Sequence, residues 1–131
     1  MGIFNGLFGK ENNNEKKEAK VAPWIPLASN EQLEEIRERS KVKPQAIFKH
    51  STTCGISRMV MNRFNEGYDI PQNSIDLHYL DLHNYRSVSN ETSNIFGVVH
   101  ESPQLIVIKN GVVVTHESHG AITQVDLKKY I

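Results

Sequence analysis

The chain has 131 residues, about the size of one domain. Fifteen Lys and Arg cancel fifteen Asp and Glu to a formal net charge of zero. Binding to nucleic acid or an anionic membrane surface rests on surplus positive charge and is not expected. A single cysteine leaves no internal disulfide and no multi-cysteine zinc site, and no apolar run approaches the ~18 residues of a membrane span. A reducing, cytoplasmic setting is expected.

The opening segment Met1–Lys17 lacks the charged-then-apolar order of a secretory signal, and Gly6 stands where an N-myristoylation motif requires Ser or Thr. Ile3, Phe4, Leu7 and Phe8 have helical spacing in a stretch too short to hold a helix alone. Lys10–Lys20 is too polar to bury itself. Residues 1–22 are therefore read as a flexible tail and 23–131 as the folded domain. Ser29 and Gln32 have the spacing of a capping box ahead of a helix whose apolar stripe is Leu33 and Ile36. Gln45–Lys49 reads as a short buried strand.

Cys54 opens a second helix reaching about Glu66, with Ile56, Val60, Met61 and Phe64 toward the core and Gly67 as its stop. Ile75–Leu82 is the next strand; Ile75, Leu77 and Tyr79 alternate before Leu80 and Leu82 shift the phase. Asn84 is a cap for a third helix carrying Val88, Thr92, Ile95 and Phe96 and ending at Gly97. Gln104–Lys109 is an apolar strand, and Asn110-Gly111 predicts a type I′ hairpin into Val112–His116. Thr123–Ile131 reads as a last short helix capped by Thr123. The order α-β-α-β-α-β-β-α predicts an α/β, thioredoxin-like domain: a four-stranded mixed sheet with helices on both faces.

Cys54 follows a buried strand and starts a helix. First-turn N–H groups there have no intrahelical acceptors, and the helix dipole favours an anion. Helix N-termini are where protein thiols become nucleophilic thiolates. Against this stands the common inert, core-filling cysteine. The small polar neighbours Ser51, Thr52, Thr53 and Gly55 do not suit a packed core, and the junction lies at the carboxyl edge of a parallel strand pair, where α/β sheets place ligands. Lys49 and His50, just upstream, are candidates for supporting positive charge. Ser57 occupies the position where C-x-x-C oxidoreductases carry a resolving cysteine; it is either a hydrogen-bond donor to the thiolate or a helix-surface serine. Ser102-Pro103, directly before the apolar strand, matches the cis-proline that faces the cysteine in a thioredoxin-like domain.

The stretches Lys49-His-Ser-Thr-Thr-Cys54-Gly-Ile-Ser57 and His100-Glu-Ser-Pro-Gln104 resemble those of the YtxJ-type monothiol bacilliredoxins. These are small thioredoxin-like proteins of low-G+C Gram-positive bacteria that use bacillithiol in place of glutathione. The similarity runs from about Trp24 to Leu127 and takes in Arg86, Ser89-Asn90, Asn110-Gly111, Ser118-His119 and Ile122. Gly55 departs from it, since proline is common after the cysteine in that family. The resemblance implies reduction of bacillithiol–protein mixed disulfides, with bacillithiol as co-substrate, bacillithiolated client proteins as partners and no bound cofactor; a monomer is expected. It makes Cys54 the nucleophile, gives Ser102 and Pro103 to the thiol groove, and sets Arg86 and His119 against the carboxylates of bacillithiol.

Two other readings stay open. Cys54-Gly-Ile-Ser57 also resembles the C-G-F-S of monothiol glutaredoxins, which hold an iron–sulfur cluster between two subunits, although Ser118-His-Gly-Ala-Ile-Thr123 stands where those proteins carry G-G-x-D. Alternatively Cys54 is modified as a signal and nothing is turned over. His116 and His119 are read as lying on a strand end, where their side chains point to opposite faces, so no metal site is expected there.

Overall fold

The computed structural model describes residues 20–131; the tail expected over residues 1–22 lies outside that range except for its last three residues. The elements are β1 (Trp24–Pro26), α1 (Asn30–Arg39), β2 (Gln45–His50), α2 (Gly55–Gly67), β3 (Asp76–Asp81), α3 (Arg86–Phe96), β4 (Gln104–Lys109) and β5 (Val112–Ser118), then 3₁₀ helices at His119–Gln124 and Leu127–Tyr130. The sheet order is β1-β3-β2-β4-β5. Strands β1 and β2 run parallel to β3, β4 runs antiparallel to β2, and the β4–β5 hairpin closes the edge.

Burial on both faces makes β2 and β4 the centre of the sheet. Ala46, Phe48, Leu105 and Val107 pack one way, against Val60 and Met61 of α2 and against Ile122 and Leu127. Ile47, Ile106 and Ile108 pack the other way, against Leu33 and Ile36 of α1 and Val88 of α3. Each fully buried side chain of this size contributes roughly 2 kcal/mol of transfer free energy. The same two-sided burial explains the phase shift in β3: Leu77 and Tyr79 join the α2 side while Leu80 joins the other.

Among the described residues the sheet has five strands, not the expected four. Trp24–Pro26 is too short to show alternation, yet it pairs in register with Leu77–Tyr79. Asn65 of α2 fixes it in place, its Oδ1 accepting from the Ala22 N–H and the Trp24 indole, both at 3.0 Å. Ala22, assigned to the tail from sequence, is buried in the α2-side core.

Other expectations shift in detail. The Ser29–Gln32 capping box is present. Asn110 and Gly111 both have positive φ, 55° and 82°, as a type I′ turn requires. Their N–H groups bond Ser40 O and Oγ at 2.8 Å, which docks the hairpin on the end of α1. The third helix is capped by Tyr85; Asn84 instead donates to Asp81. The final α-helix is replaced by two 3₁₀ turns, the second capped by Asp126, because Thr123 Oγ1 is spent on Gly120 O. His119 leaves the strand with φ 58° and so is not on a strand with His116. No helix among the described residues is long and apolar enough to cross a membrane.

Candidate active site

Strand β2 ends at His50, and the turn Ser51–Cys54 closes with the Cys54 N–H on Ser51 O at 3.3 Å. Cys54 is the N-cap of α2, extended at φ −103°, ψ 125°, and its carbonyl accepts from the Arg58 N–H at 3.0 Å. The cysteine is half-buried, and its side chain makes no capping bond, so the sulfur is not consumed by the helix it begins. An anion there meets the free N–H groups of a first turn that holds no acidic residue. Ile56, expected in the core, is 55% exposed and flanks the cysteine.

Beneath the cysteine, Ser57 is fully buried. Its hydroxyl accepts from the Ser51 N–H at 3.0 Å and lies 2.8 Å from His50 Nδ1. It is therefore neither a surface serine nor turned to the thiol; it ties the end of β2 to α2. Burial lowers the His50 pKa, Asp81 works against that and Arg58 with it. Asp81 stands opposite His50 in the β2–β3 register, and its Oδ1 is buried without a partner among the described residues.

At the rim, His83 Nε2 is 2.8 Å from Ser51 Oγ and 3.4 Å from Thr53 Oγ1. Arg86 Nη2 donates to His83 Nδ1 at 3.4 Å. A guanidinium can only donate, so His83 holds its proton on Nε2 and gives it to the cysteine turn. Arg58 adds a bond to Thr52 O at 3.3 Å. Sequence reasoning missed His83. Its position two residues past β3, at the carboxyl edge of the sheet, was the available signal.

The Ser102–Pro103 peptide is cis. The antiparallel register of β2 and β4 ends at Lys49 opposite Gln104. One step further sets Pro103 beside His50, at the edge from which the cysteine turn departs. The rest of His100-Glu-Ser-Pro-Gln104 straps this loop down. Gln104 bonds Val99 O at 2.9 Å and receives the Glu101 N–H, the Glu101 carboxylate accepts from Ser118 Oγ, and Pro103 O accepts from the His119 N–H at 3.0 Å.

With this geometry in view, the comparisons with known proteins agree. A family model described as monothiol bacilliredoxin BrxC matches residues 25–127. The chain belongs to the monothiol bacilliredoxin family. A solved structure assigned as an oxidoreductase with a thioredoxin fold is 33% identical, with TM-score 0.65 over 76% of this chain and 85% of that one. Schistosoma mansoni thioredoxin is 23% identical with TM-score 0.63, over 82% and 95% of the two chains. Malassezia sympodialis thioredoxin is 18% identical with TM-score 0.60, over 82% and 93%. These last two share the fold. The bacilliredoxin is thus a redox enzyme on a thioredoxin-like scaffold, and its one cysteine makes it monothiol.

The bacilliredoxin brings Cys54, Gly55, His50, Ser57 and Arg86 to one end of the sheet, with Ser102 and Pro103 alongside and the His119 backbone against Pro103. Lys49 is the exception. Expected as a cationic neighbour of the cysteine, it follows strand alternation to the face opposite α2, where its ammonium bonds Ser89 O and Ser93 Oγ of α3. Burial pulls its pKa down to about 8.

Proposed function

We propose that this bacilliredoxin removes bacillithiol from protein mixed disulfides through Cys54. The Cys54 thiolate attacks the bacillithiol sulfur of the client disulfide; the client sulfur leaves as a thiolate and takes a proton. A second bacillithiol, as thiolate, then attacks the bacillithiol sulfur on Cys54, releasing bacillithiol disulfide and the Cys54 thiolate. Client disulfide and one free bacillithiol are thereby converted into client thiol and bacillithiol disulfide. Ser57 has no sulfur with which to close an internal bond, so the second thiol must come from solution.

The observation that carries this reading is a half-buried sulfur with no capping duty at the start of α2, at the sheet end to which the β2–β4 register also leads the cis Ser102–Pro103 peptide. The free N–H groups of the helix terminus face the Cys54 sulfur both when it attacks and when it leaves. Ser102 and Pro103 supply one wall of the groove in this scheme; Arg86 and His119 stand at its two sides. The enzyme acts as a cytoplasmic monomer with bacillithiol as co-substrate and no bound cofactor.

Intact-protein mass spectrometry after exposure to oxidised bacillithiol, and separately to oxidised glutathione, tests it. One adduct on Cys54 with the former, reversed by reduced bacillithiol, is expected. Cys54→Ser should keep the fold and drop release of bacillithiol from a modified client to the uncatalysed rate. Turnover retained in that variant refutes the scheme.

A further inference from the structure

Lys49 is fully buried, a rare setting for a lysine. Its ammonium meets Ser89 O, Ser93 Oγ and His100 Nδ1, each at 3.1 Å, so every N–H of the head group has an acceptor. None of these acceptors is a carboxylate, and no carboxylate among the described residues makes an ion pair with it. Methionine would fill the same space without the cost of burying a cation. What the ammonium adds is the tripod of bonds.

Two legs of the tripod stand on α3, and the third stands on the prolyl loop. His100 lies three residues before Pro103; Gln104, one residue after it, is the partner of Lys49 in the β2–β4 register. Lys49 therefore holds His100–Gln104 at both ends, its side chain at the entrance and its backbone at the exit. Ser89 Oγ, 3.4 Å from His100 Nδ1, adds to the hold at the entrance. The other bonds of the segment run elsewhere. Gln104 ties it to Glu101 and Val99, while Glu101 and Pro103 reach Ser118 and His119. Lys49 also directly precedes His50, where β2 gives way to the Ser51–Cys54 turn. One residue thus joins the strand that delivers the cysteine to the loop that delivers the cis-proline.

We propose that Lys49 is a positioning residue: through His100 it fixes the prolyl loop relative to the cysteine turn and so sets the groove that receives the bacillithiolated client. This rests on the thiol-exchange reading above and adds Lys49 and His100 to the residues that shape the groove, both acting through the loop. Without the bond the entrance of the loop leaves its place. A client that fits only the fixed arrangement then binds more weakly, in proportion to the fraction of molecules displaced.

The test measures KM and kcat of the full-length protein for a bacillithiolated peptide, and the rate of Cys54 alkylation by iodoacetamide, a reagent too small to need the groove. In His100→Ala, KM should rise by about tenfold, the low end for a hydrogen bond to a charged group, with kcat and alkylation unchanged. His100→Asn, whose Oδ1 stands close to the place of Nδ1, should recover most of that loss. Lys49→Met should match His100→Ala, and the double variant should lose no more than either single one. His100→Ala removes an exposed ring, so the test survives if Lys49→Met does not fold. A wild-type KM in His100→Ala, no recovery in His100→Asn, losses that add in the double variant, or alkylation slowed along with turnover overturns the inference and leaves thiol exchange standing. Failure of wild type to release bacillithiol from the peptide removes the underlying reading and the inference with it.

Discussion

Strand β2 buries polar side chains at both ends, and the two ends are built differently. At its start, Gln45 is fully buried and gives its amide to Lys43 O at 3.1 Å and Asp76 Oδ2 at 2.9 Å, while its Oε1 accepts from His78 at 2.8 Å. Asp76 is in turn paired with Lys43 at 3.1 Å and Arg39 at 3.7 Å. Burial works against the Asp76 carboxylate, but Gln45, Lys43 and Arg39 together hold its pKa below the usual range. Both cations there share the Asp76 carboxylate, and His78 Nδ1 is buried without a hydrogen-bond partner among the described residues. At the other end, Lys49 has only neutral acceptors, and Asp81 beside His50 keeps a buried oxygen unpaired. The ends thus differ in charge pairing: Lys43 and Arg39 have a carboxylate at the start of the strand, whereas Lys49, toward the end where Cys54 sits, has none.

The largest effects that would break this comparison are pH-dependent. Burial drops the His78 pKa to about 4, with Asp76 opposing and Arg39 reinforcing. Between about pH 6.5 and pH 4 the unfolded chain takes up a proton that the native one refuses, so stability falls as pH falls through that window, by roughly 3 kcal/mol in all. Lys49, near 8 instead of 10.5, gives the alkaline counterpart. Below about pH 8 both states are protonated; between about pH 8 and 10.5 only the unfolded state keeps its proton, so stability rises with pH by a comparable amount. Urea denaturation across pH should show the acid slope reduced in His78→Gln and the alkaline slope reduced in Lys49→Met. Slopes identical to wild type would mean these groups titrate as if in water.

A smaller effect separates the two ends directly. Asp76→Ala strands Lys43 and Arg39 and removes an acceptor from Gln45, and should cost about 2 kcal/mol. Thiol exchange at Cys54, on the far end of the strand, should be untouched. Denaturation and turnover measured on the same preparation decide this, and a loss of turnover in the folded variant would join the two ends. The smallest effect is at Gly55. A Cβ there meets nothing within 4 Å, its φ is not positive, and Cys54 is already extended as a residue before proline must be. Gly55→Ala and Gly55→Pro should both be tolerated, the latter at a first helical position that suits proline, with a gain of about 0.5–1 kcal/mol. A raised denaturation midpoint at unchanged m would confirm it; a drop would show that Gly55 is needed for the turn.

Much of this was legible in one dimension. The capping box at Ser29, the Asn110-Gly111 turn and the cysteine at a strand-to-helix junction are local signals, each carried by residues a few positions apart. Trp24–Pro26 escaped because a three-residue edge strand has no periodicity to read; it exists through pairing with β3 and through Asn65, 41 residues from Trp24. Ser57 was misread because its neighbours in sequence say nothing of His50 beneath it. His83 and His100 were passed over for the same reason: each acquires meaning from a residue distant in the chain, Ser51 for His83 and Lys49 for His100.

Composition, hydrophobic period and turn chemistry by themselves determined the α/β class, where its central strands run and which atom is the candidate nucleophile, because those depend on short-range preference and on burying apolar surface. Which way Lys49 points, what Ser57 holds and which charges stay unmatched were decided only when strands from distant parts of the chain came into register. Strand alternation sends adjacent residues to opposite faces, and only the folded sheet shows what waits on each.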